Sequence, residues 1–224
     1  MKARLFQFAT SPFCAKVRKI LDYKGLKYEL VEVDYLERKE LLAASGQIMV
    51  PALTLEGGET IVDSERIAMR LEELHSEPTL FPPGARGLHT ALARYIESAV
   101  EDAIFRIAVI DEVEHFRRQG ADREAMWRLI RDRRYGDRFV DRMRDQLEAN
   151  WAAATAVLVP FEEQLAAGVG AFLTGRIGYA DFALYGQLHL LALTGELKIP
   201  AAMPHLRAYY ARMDRITASL DAAL

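Results

Sequence analysis

The apolar pattern of the chain changes once, at a stretch rich in proline and glycine. Residues 76–87 read SEPTLFPPGARG, in which three prolines and two glycines break any regular helix or strand. Before this stretch, short apolar runs of period two alternate with segments of helical spacing, and after it only helical spacing remains. The sequence therefore predicts two domains, at residues 1–78 and 88–224, joined by a linker over residues 79–87.

The first 78 residues predict a small α/β domain. Residues 4–8 and 28–33 are short apolar runs of the strand type, and the segment between them has helical spacing up to Gly25. A short helix is predicted over residues 36–45. Further along, EGGE at residues 56–59 separates two more apolar runs, which is typical of a hairpin, and a last helix closes the domain.

Beyond the linker, the pattern predicts an all-helical bundle. From Leu92 to Ile110, apolar residues recur at i, i+3 and i+4 over five helical turns. The chain is 51% hydrophobic, which is enough for a continuous core. Residues 114–146 carry ten arginines interleaved with seven acidic residues, a pattern typical of solvated helices rather than of a nucleic-acid surface. We interpret this segment as an extended helical insertion in the bundle.

Composition and charge exclude several classes of function. The single cysteine rules out an intramolecular disulfide, a C-x-x-C redox pair and a zinc site of several thiolates, and no metal is expected. The 29 basic and 32 acidic side chains give a net charge of −3, unlike a nucleic-acid-binding or acidic-membrane-binding protein. No apolar run is long enough for a signal-peptide core or a transmembrane helix, so we expect a cytoplasmic protein.

The stretch Ser11-Pro12-Phe13-Cys14 lies where the first strand meets the first helix. Serine is a favourable N-cap and proline suits the first helical position, so local structure alone accounts for both. A helix N-terminus also carries unpaired N–H groups and partial positive charge, which favour an anion such as a thiolate that the Ser11 hydroxyl is able to hydrogen-bond. Cys14 is either a thiol activated by the helix dipole or a small buried hydrophobe, and the residues alone leave both readings open.

Three motifs between residues 5 and 74 resemble the cytosolic glutathione transferases. The S-P-F-C turn is similar to the serine-type members of that family, the theta and zeta classes. SGQIMVP at residues 45–51 resembles the family's Val-Pro turn, and Asp63-Ser64 resembles its Glu/Asp-Ser pair. The resemblance implies a thioredoxin-like α/β N-terminal domain followed by an all-helical C-terminal domain that binds the second substrate.

The resemblance also implies a glutathione site. Ser11 is the expected catalytic residue, and a cis peptide bond between Val50 and Pro51 is expected to aim the Val50 backbone at the cysteinyl part of glutathione. Asp63 and Ser64 would bind the γ-glutamyl carboxylate and amino group. The full set of expected glutathione contacts is Ser11, Phe13, Gln47, Val50, Pro51, Asp63 and Ser64, with Arg38 or Lys39 reaching the glycyl carboxylate. Met49 departs from the family, which often has a basic residue before Val-Pro.

The resemblance implies less about the residues of the second domain. By analogy with the family, the electrophile lies between the domains, against Tyr95, Ala99, Glu101, Phe105 and Arg106. Residues 175–182, GRIGYADF, are similar to the family's capping box, in which Asp181 reaches back to the helix start. Gly178 replaces the usual serine or threonine of that box, so Asp181 is interpreted as structural.

Together these expectations describe a glutathione transferase. It would activate the glutathione thiol for attack on a small hydrophobic electrophile, as a homodimer without a metal. One alternative is glutathione-dependent thiol–disulfide exchange through Cys14, although serine at position 11 stands where that chemistry needs sulfur. The other is a non-catalytic binding or scaffold protein that keeps the fold.

Overall fold

The computed structural model describes residues 2–168 and 170–216. The first part of the chain contains β1 (Ala3–Gln7), α1 (Pro12–Tyr23), β2 (Tyr28–Glu32), α2 (Lys39–Ser45), β3 (Ala52–Thr54), β4 (Thr60–Val62) and α3 (Ser64–Leu74). The strands form one sheet in the order β2-β1-β3-β4, with β2 parallel to β1 and the other pairs antiparallel. This arrangement agrees with the thioredoxin-like domain expected from the sequence.

Alternate residues of β1 build the cores on the two faces of the sheet. Leu5 belongs to a large core that also contains Ile20 of α1 and Ile67 of α3. Phe6 points to the opposite face and packs with Leu41 of α2. Helices α1 and α3 therefore cover one face of the sheet, and α2 covers the other.

The described residues of the second part form helices joined by loops and contain no strand, as predicted. It contains α4 (Arg86–Tyr95), a π-helical turn (Ile96–Val100), α5 (Glu101–Gln119), α6 (Ala121–Tyr135), α7 (Phe139–Asp145), α8 (Leu147–Ala166), α9 (Tyr179–His189), a 3₁₀ turn (Leu190–Ala192) and α10 (Pro204–Asp214). Helix α9 is buried from its first residue to Leu188 and forms the centre of the bundle. Within the described ranges, no helix is both long enough and apolar enough to cross a membrane.

Helix α9 packs closely against α1, the helix that begins beside Ser11. A Cβ atom added to Gly186 of α9 would lie 2.5 Å from the Pro12 carbonyl oxygen. No side chain fits at that distance, so glycine allows the close approach of the two helices. The bundle thereby supports the first turn of α1 directly.

The linker is held by both parts of the molecule. Leu80 is fully buried, and its carbonyl accepts a hydrogen bond from Tyr179 N at 2.8 Å. The buried ammonium of Lys24, the residue after α1, donates to His75 O at 2.6 Å and to Pro78 O at 3.0 Å, just before the linker. Helix α4 begins at Arg86, one residue before the predicted end of the linker at Gly87. The predicted domain boundaries themselves stay a prediction.

The arginine-rich segment 114–146 forms the end of α5 and all of α6 and α7. Some of its arginines are solvated and pair along a helix as predicted, for example Arg117 with Glu114 at 2.8 Å. The segment also has a core that the composition does not reveal. Trp127 is fully buried there and packs with Phe116 and Phe139.

Candidate functional site

Ser11 closes a tight turn between β1 and α1. Its backbone N donates to Phe8 O at 3.0 Å, and Glu32 Oε1 of β2 accepts from Ala9 N at 2.8 Å. The Ser11 Oγ accepts a hydrogen bond from Cys14 N at 3.3 Å, so Ser11 is the N-cap of α1, as the sequence predicts. Because capping uses a lone pair of the hydroxyl, the hydroxyl proton stays available to a ligand.

Cys14 lies inside the protein and not at its surface. The side chain is 0% exposed. Burial raises the pKa of the thiol to about 11, and the opposing effects of Ser11 and Arg18 do not offset it. A buried thiol that stays protonated near neutral pH is a poor nucleophile, which counts against thiol–disulfide exchange through Cys14.

The turn before β3 has the geometry that the Val-Pro motif implies. The Val50–Pro51 peptide bond is cis, Pro51 is buried and Val50 is half-buried. The Gln47 side chain stabilises this turn by donating to Met49 O at 2.7 Å and accepting from Met49 N. Gln47 therefore shapes the turn, and its predicted contact with glutathione stays a prediction.

The third motif caps α3. The Asp63 Oδ1 accepts hydrogen bonds from Glu65 N and Arg66 N, both at 3.0 Å, and Asp63 has a φ of 76°, unusual for a residue with a side chain. Asp63 is exposed, whereas Ser64 is buried. Asp63 also lines a surface cavity of about 520 Å³ between α3, β4 and Arg94 of α4. The helix start is thus open to a ligand beside an acidic side chain.

The strand register brings the three motifs to the same end of the sheet. Phe6 of β1 pairs with Ala52 of β3, which in turn pairs with Val62 of β4. Ser11 lies beyond the end of β1, Pro51 lies just before the start of β3, and Asp63 lies just after the end of β4. Two strand spacings are about 10 Å, which is close to the length of an extended tripeptide. The motifs therefore form a row of suitable length for glutathione.

The two basic candidates for the glycyl carboxylate are placed differently. Arg38 is half-buried, stacks on Tyr35 with its guanidinium 4.6 Å from the ring centre, and donates to Ile48 O at 3.0 Å. Lys39 is exposed and pairs with Glu37 at 3.0 Å. Arg38 thus has a packing role at the turn before Val50, and Lys39 is the freer of the two cations.

Comparison with family models decides the family. The glutathione S-transferase N-terminal domain model matches residues 5–79, and the glutathione S-transferase C-terminal domain model matches residues 137–212. Together the two models cover more than half of the chain. The chain belongs to the glutathione S-transferase family. Residues 80–136, which include α4, α5 and α6, lie outside both matches.

Similarity to individual relatives is low. A probable glutathione S-transferase of Nicotiana tabacum is 25% identical over 99% of this chain and 98% of its own length. Prostaglandin E synthase 2 of Danio rerio is 40% identical, but the match covers 32% of this chain and only 19% of that protein. This chain therefore spans about a fifth of that relative.

Solved structures of the family share the whole fold. The crystal structure of a glutathione S-transferase of Ceriporiopsis subvermispora in complex with glutathione has a TM-score of 0.77 and 19% sequence identity, and the match covers 95% of each chain. At this identity the likeness shows the fold. The expected combination of a thioredoxin-like and a helical domain is confirmed.

The region expected to hold the electrophile lies in the unmatched helices. Two of the expected residues are exposed: Tyr95 immediately precedes the π-helical turn, and Ala99 lies within it. Arg106 pairs with Asp102 at 2.9 Å along α5. Phe105 packs instead against the insertion, with its ring centre 6.0 Å from that of Phe139. Tyr95 and Ala99 are therefore accessible from solvent, whereas Phe105 packs inside the helical part of the molecule.

Two acids of this region, the expected Glu101 and the unpredicted Glu97, have unusual environments. Burial raises the pKa of Glu101 to about 7, and the nearby Arg134 partly opposes this effect. Glu97 of the π-helical turn lies 2.5 Å from the Lys16 ammonium, which is buried against the Tyr179 hydroxyl at 3.1 Å. Lys16 and Glu97 were missed in the sequence because no local pattern links two residues so far apart. The one sign of this pair in the sequence is that Lys16 falls on the apolar face of the helix predicted there.

The departure at Gly178 has a structural explanation. Asp181 Oδ2 accepts from Gly178 N at 2.9 Å, as the capping-box resemblance implies. A Cβ atom on Gly178 would lie 2.3 Å from His89 Cε1, so the usual serine or threonine does not fit. His89 Nδ1 accepts from Ala180 N at 3.3 Å and so provides the missing half of the cap. Asp181 is fully buried, in agreement with a structural role.

Proposed function

We propose that this protein is a glutathione transferase that ionises the glutathione thiol at Ser11 and presents the thiolate to a small hydrophobic electrophile. The observation that carries the proposal is the N-cap geometry. The Ser11 Oγ accepts from Cys14 N at the start of the twelve-residue helix α1. Its proton is free to be donated to sulfur, and the helix dipole favours the negative charge.

The row of motifs supports an extended binding mode for glutathione. The cysteinyl part would lie along the Val50 backbone, with its sulfur at Ser11 beside Phe13. The γ-glutamyl end would reach the start of α3, where the Ser64 hydroxyl and the positive end of the helix dipole suit its carboxylate and Asp63 suits its ammonium group. Lys39, the more exposed of the two basic candidates, would bind the glycyl carboxylate.

Ionisation of the thiol is the step that the protein would accelerate. Each unit by which the thiol pKa falls corresponds to about 1.4 kcal/mol of thiolate stabilisation. The thiolate sulfur then forms a bond to an electrophilic carbon, and with an aryl halide the carbon–halogen bond breaks and halide leaves with its electron pair. We place the electrophile on the exposed side of the π-helical turn, near Tyr95 and Ala99. We also propose that the protein is a homodimer, which sedimentation equilibrium tests. The cytoplasmic location stays a prediction.

Replacement of Ser11 tests the proposal. We expect Ser11→Ala to lower kcat/KM for a reactive aryl halide by about 100-fold or more, since loss of one donor to a developing anion has effects of that order. Ser11→Thr keeps a hydroxyl and should retain part of the activity. Cys14→Ala is the matched control in the same helix turn and should retain nearly all of it.

Two outcomes would contradict the proposal. If Ser11→Ala turns over a panel of electrophiles as fast as the wild type, the donor role is wrong. If the wild type neither binds immobilised glutathione nor turns over any electrophile of the panel, the protein is a non-catalytic member of the family.

A further inference from the structure

Glu32, the last residue of β2, joins the end of the sheet to the turn that precedes α1. Its Oε1 accepts a hydrogen bond from Ala9 N at 2.8 Å, and its Oε2 accepts one from the side-chain Nε2 of Gln7 at 2.9 Å. Ala9 is a central residue of the turn that the hydrogen bond from Ser11 N to Phe8 O closes. One carboxylate therefore connects this turn to the end of β1.

Arg18 of α1 fixes which way the Gln7 amide points. Its Nη1 donates to Gln7 Oε1, and its Nη2 lies 3.4 Å from Nε2 of His189 in α9. A guanidinium has hydrogen-bond donors and no acceptor, so the oxygen of the Gln7 amide faces Arg18 and the nitrogen faces Glu32. Gln7 is 5% exposed, which makes an unpaired amide group there costly. The side chain at position 32 therefore has to accept a hydrogen bond from Gln7.

The order of donors and acceptors calls for a carboxylate at position 32. Both groups that face Glu32, the Gln7 Nε2 and the Ala9 backbone N, are donors. A carboxylate has two acceptor oxygens and satisfies both donors, whereas an amide would turn its own NH₂ group toward one of them. Glu32 is exposed, so an amide of the same size would fit there by volume. The acid and its amide thus differ at this position in hydrogen bonding and charge rather than in packing.

We propose that Glu32 is a positioning residue for Ser11, which it orients by holding Ala9 N in the turn before α1. Arg18 enforces this arrangement through Gln7. The inference rests on the proposed function, since it concerns the direction of the Ser11 hydroxyl toward the glutathione sulfur. Hydrogen bonding to an anion depends steeply on geometry, and a misplacement of about 1 Å lowers a rate by roughly 100-fold. Glu32 acts through the backbone and not on the tripeptide.

Replacing the acid with its amide breaks the arrangement at nearly constant volume. Glu32→Gln sets two donors against each other, at Gln7 or at Ala9, and so loosens the turn. We expect kcat, measured at a pH below the thiol pKa, to fall about three- to tenfold, with the KM for glutathione nearly unchanged. The pKa of the bound thiol should rise by about half a unit to one unit, because the thiolate fraction falls by the same factor. Ultraviolet absorbance of the thiolate, followed against pH, gives this pKa without turnover.

An exchange of the two side chains separates positioning from general damage. In Gln7→Glu combined with Glu32→Gln, the carboxylate now at position 7 accepts from Arg18 and from the amide nitrogen at position 32. The amide oxygen at position 32 still accepts from Ala9 N, so every donor has an acceptor again. Composition and net charge equal those of the wild type. We expect the exchange to restore kcat and the thiol pKa, although Gln7→Glu alone, which sets two carboxylates against each other, impairs both.

Glu29→Gln is the matched control, since Glu29 is another exposed acid of β2 and pairs with Arg4 at 3.8 Å. It should leave kcat and the thiol pKa unchanged. A wild-type thiol pKa in Glu32→Gln would overturn the inference, and so would an exchange variant as impaired as Glu32→Gln alone. In both cases the wild type would still ionise bound glutathione. A wild-type protein that binds glutathione without ionising it would refute the proposed function, and this inference with it.

Discussion

The buried pair between Lys16 and Glu97 gives the sharpest prediction about stability. The Lys16 side chain is 1% exposed and that of Glu97 is 15% exposed, with 2.5 Å between Nζ and Oε1. Lys16 belongs to α1 and Glu97 to the π-helical turn of the bundle, so the pair joins the two parts of the molecule. Lys16→Met keeps the apolar stem of the side chain and removes its charge.

The structure sets the size of the expected effect. Removing one partner of a fully buried ion pair costs about 3–5 kcal/mol, whereas breaking an exposed pair costs about 0–1 kcal/mol. Because Glu97 keeps some contact with solvent, we expect about 3 kcal/mol for Lys16→Met, at the lower end of the buried range. Lys16→Met combined with Glu97→Leu should recover more than half of this loss, since no buried charge is then left unpaired.

Urea unfolding followed by circular dichroism measures these free energies. Lys39→Met breaks the exposed pair with Glu37, in which the two side chains are 87% and 66% exposed, and serves as the matched control. A loss below about 1 kcal/mol for Lys16→Met, no larger than that of an exposed pair, would refute the reasoning. A double variant as unstable as Lys16→Met alone would also refute it.

Three further predictions concern Gly186, Cys14 and His189. Gly186→Ala should destabilise the protein by about 1–3 kcal/mol in the same unfolding assay, because the added Cβ would lie 2.5 Å from Pro12 O; an unchanged midpoint would contradict this. Cys14 should not react with a thiol reagent at pH 8 in the native protein and should react fully in urea, because burial raises the pKa of its thiol to about 11; rapid native labelling would contradict this. Burial lowers the pKa of His189 to about 4, so the unfolded state binds more protons and stability falls as pH decreases from about 6.5 towards 4. His189→Gln should reduce the difference between unfolding midpoints at pH 7 and pH 5, and an unchanged difference would show that His189 does not titrate in this way.

Local sequence patterns predicted the elements around the site well. Ser11 and Pro12 carry their own capping signals, and both occupy the predicted positions at the start of α1. The alternation of β1 also places Leu5 and Phe6 on opposite faces of the sheet, as period two requires. These features depend on neighbouring residues, so a single sequence contains enough information to predict them.

Contacts between distant residues could not be predicted in the same way. The ion pair of Lys16 with Glu97 and the approach of His89 to Gly178 join parts of the chain that are 81 and 89 residues apart. The arginine-rich composition predicted that the insertion is solvated. Trp127 of the insertion is nevertheless fully buried, in a hydrophobic cluster separate from the main core. Burial of this kind depends on which helix faces meet, and composition does not determine that.

The state of the sulfur in bound glutathione tests the central claim most directly. The thiolate absorbance of the wild-type complex, titrated against pH, should give a thiol pKa at least about one unit below that of a free thiol, which is near 8.5. In Ser11→Ala the value should return most of the way to that of free glutathione. A wild-type complex whose thiol titrates like free glutathione, or a Ser11→Ala complex that titrates like the wild type, would contradict the account.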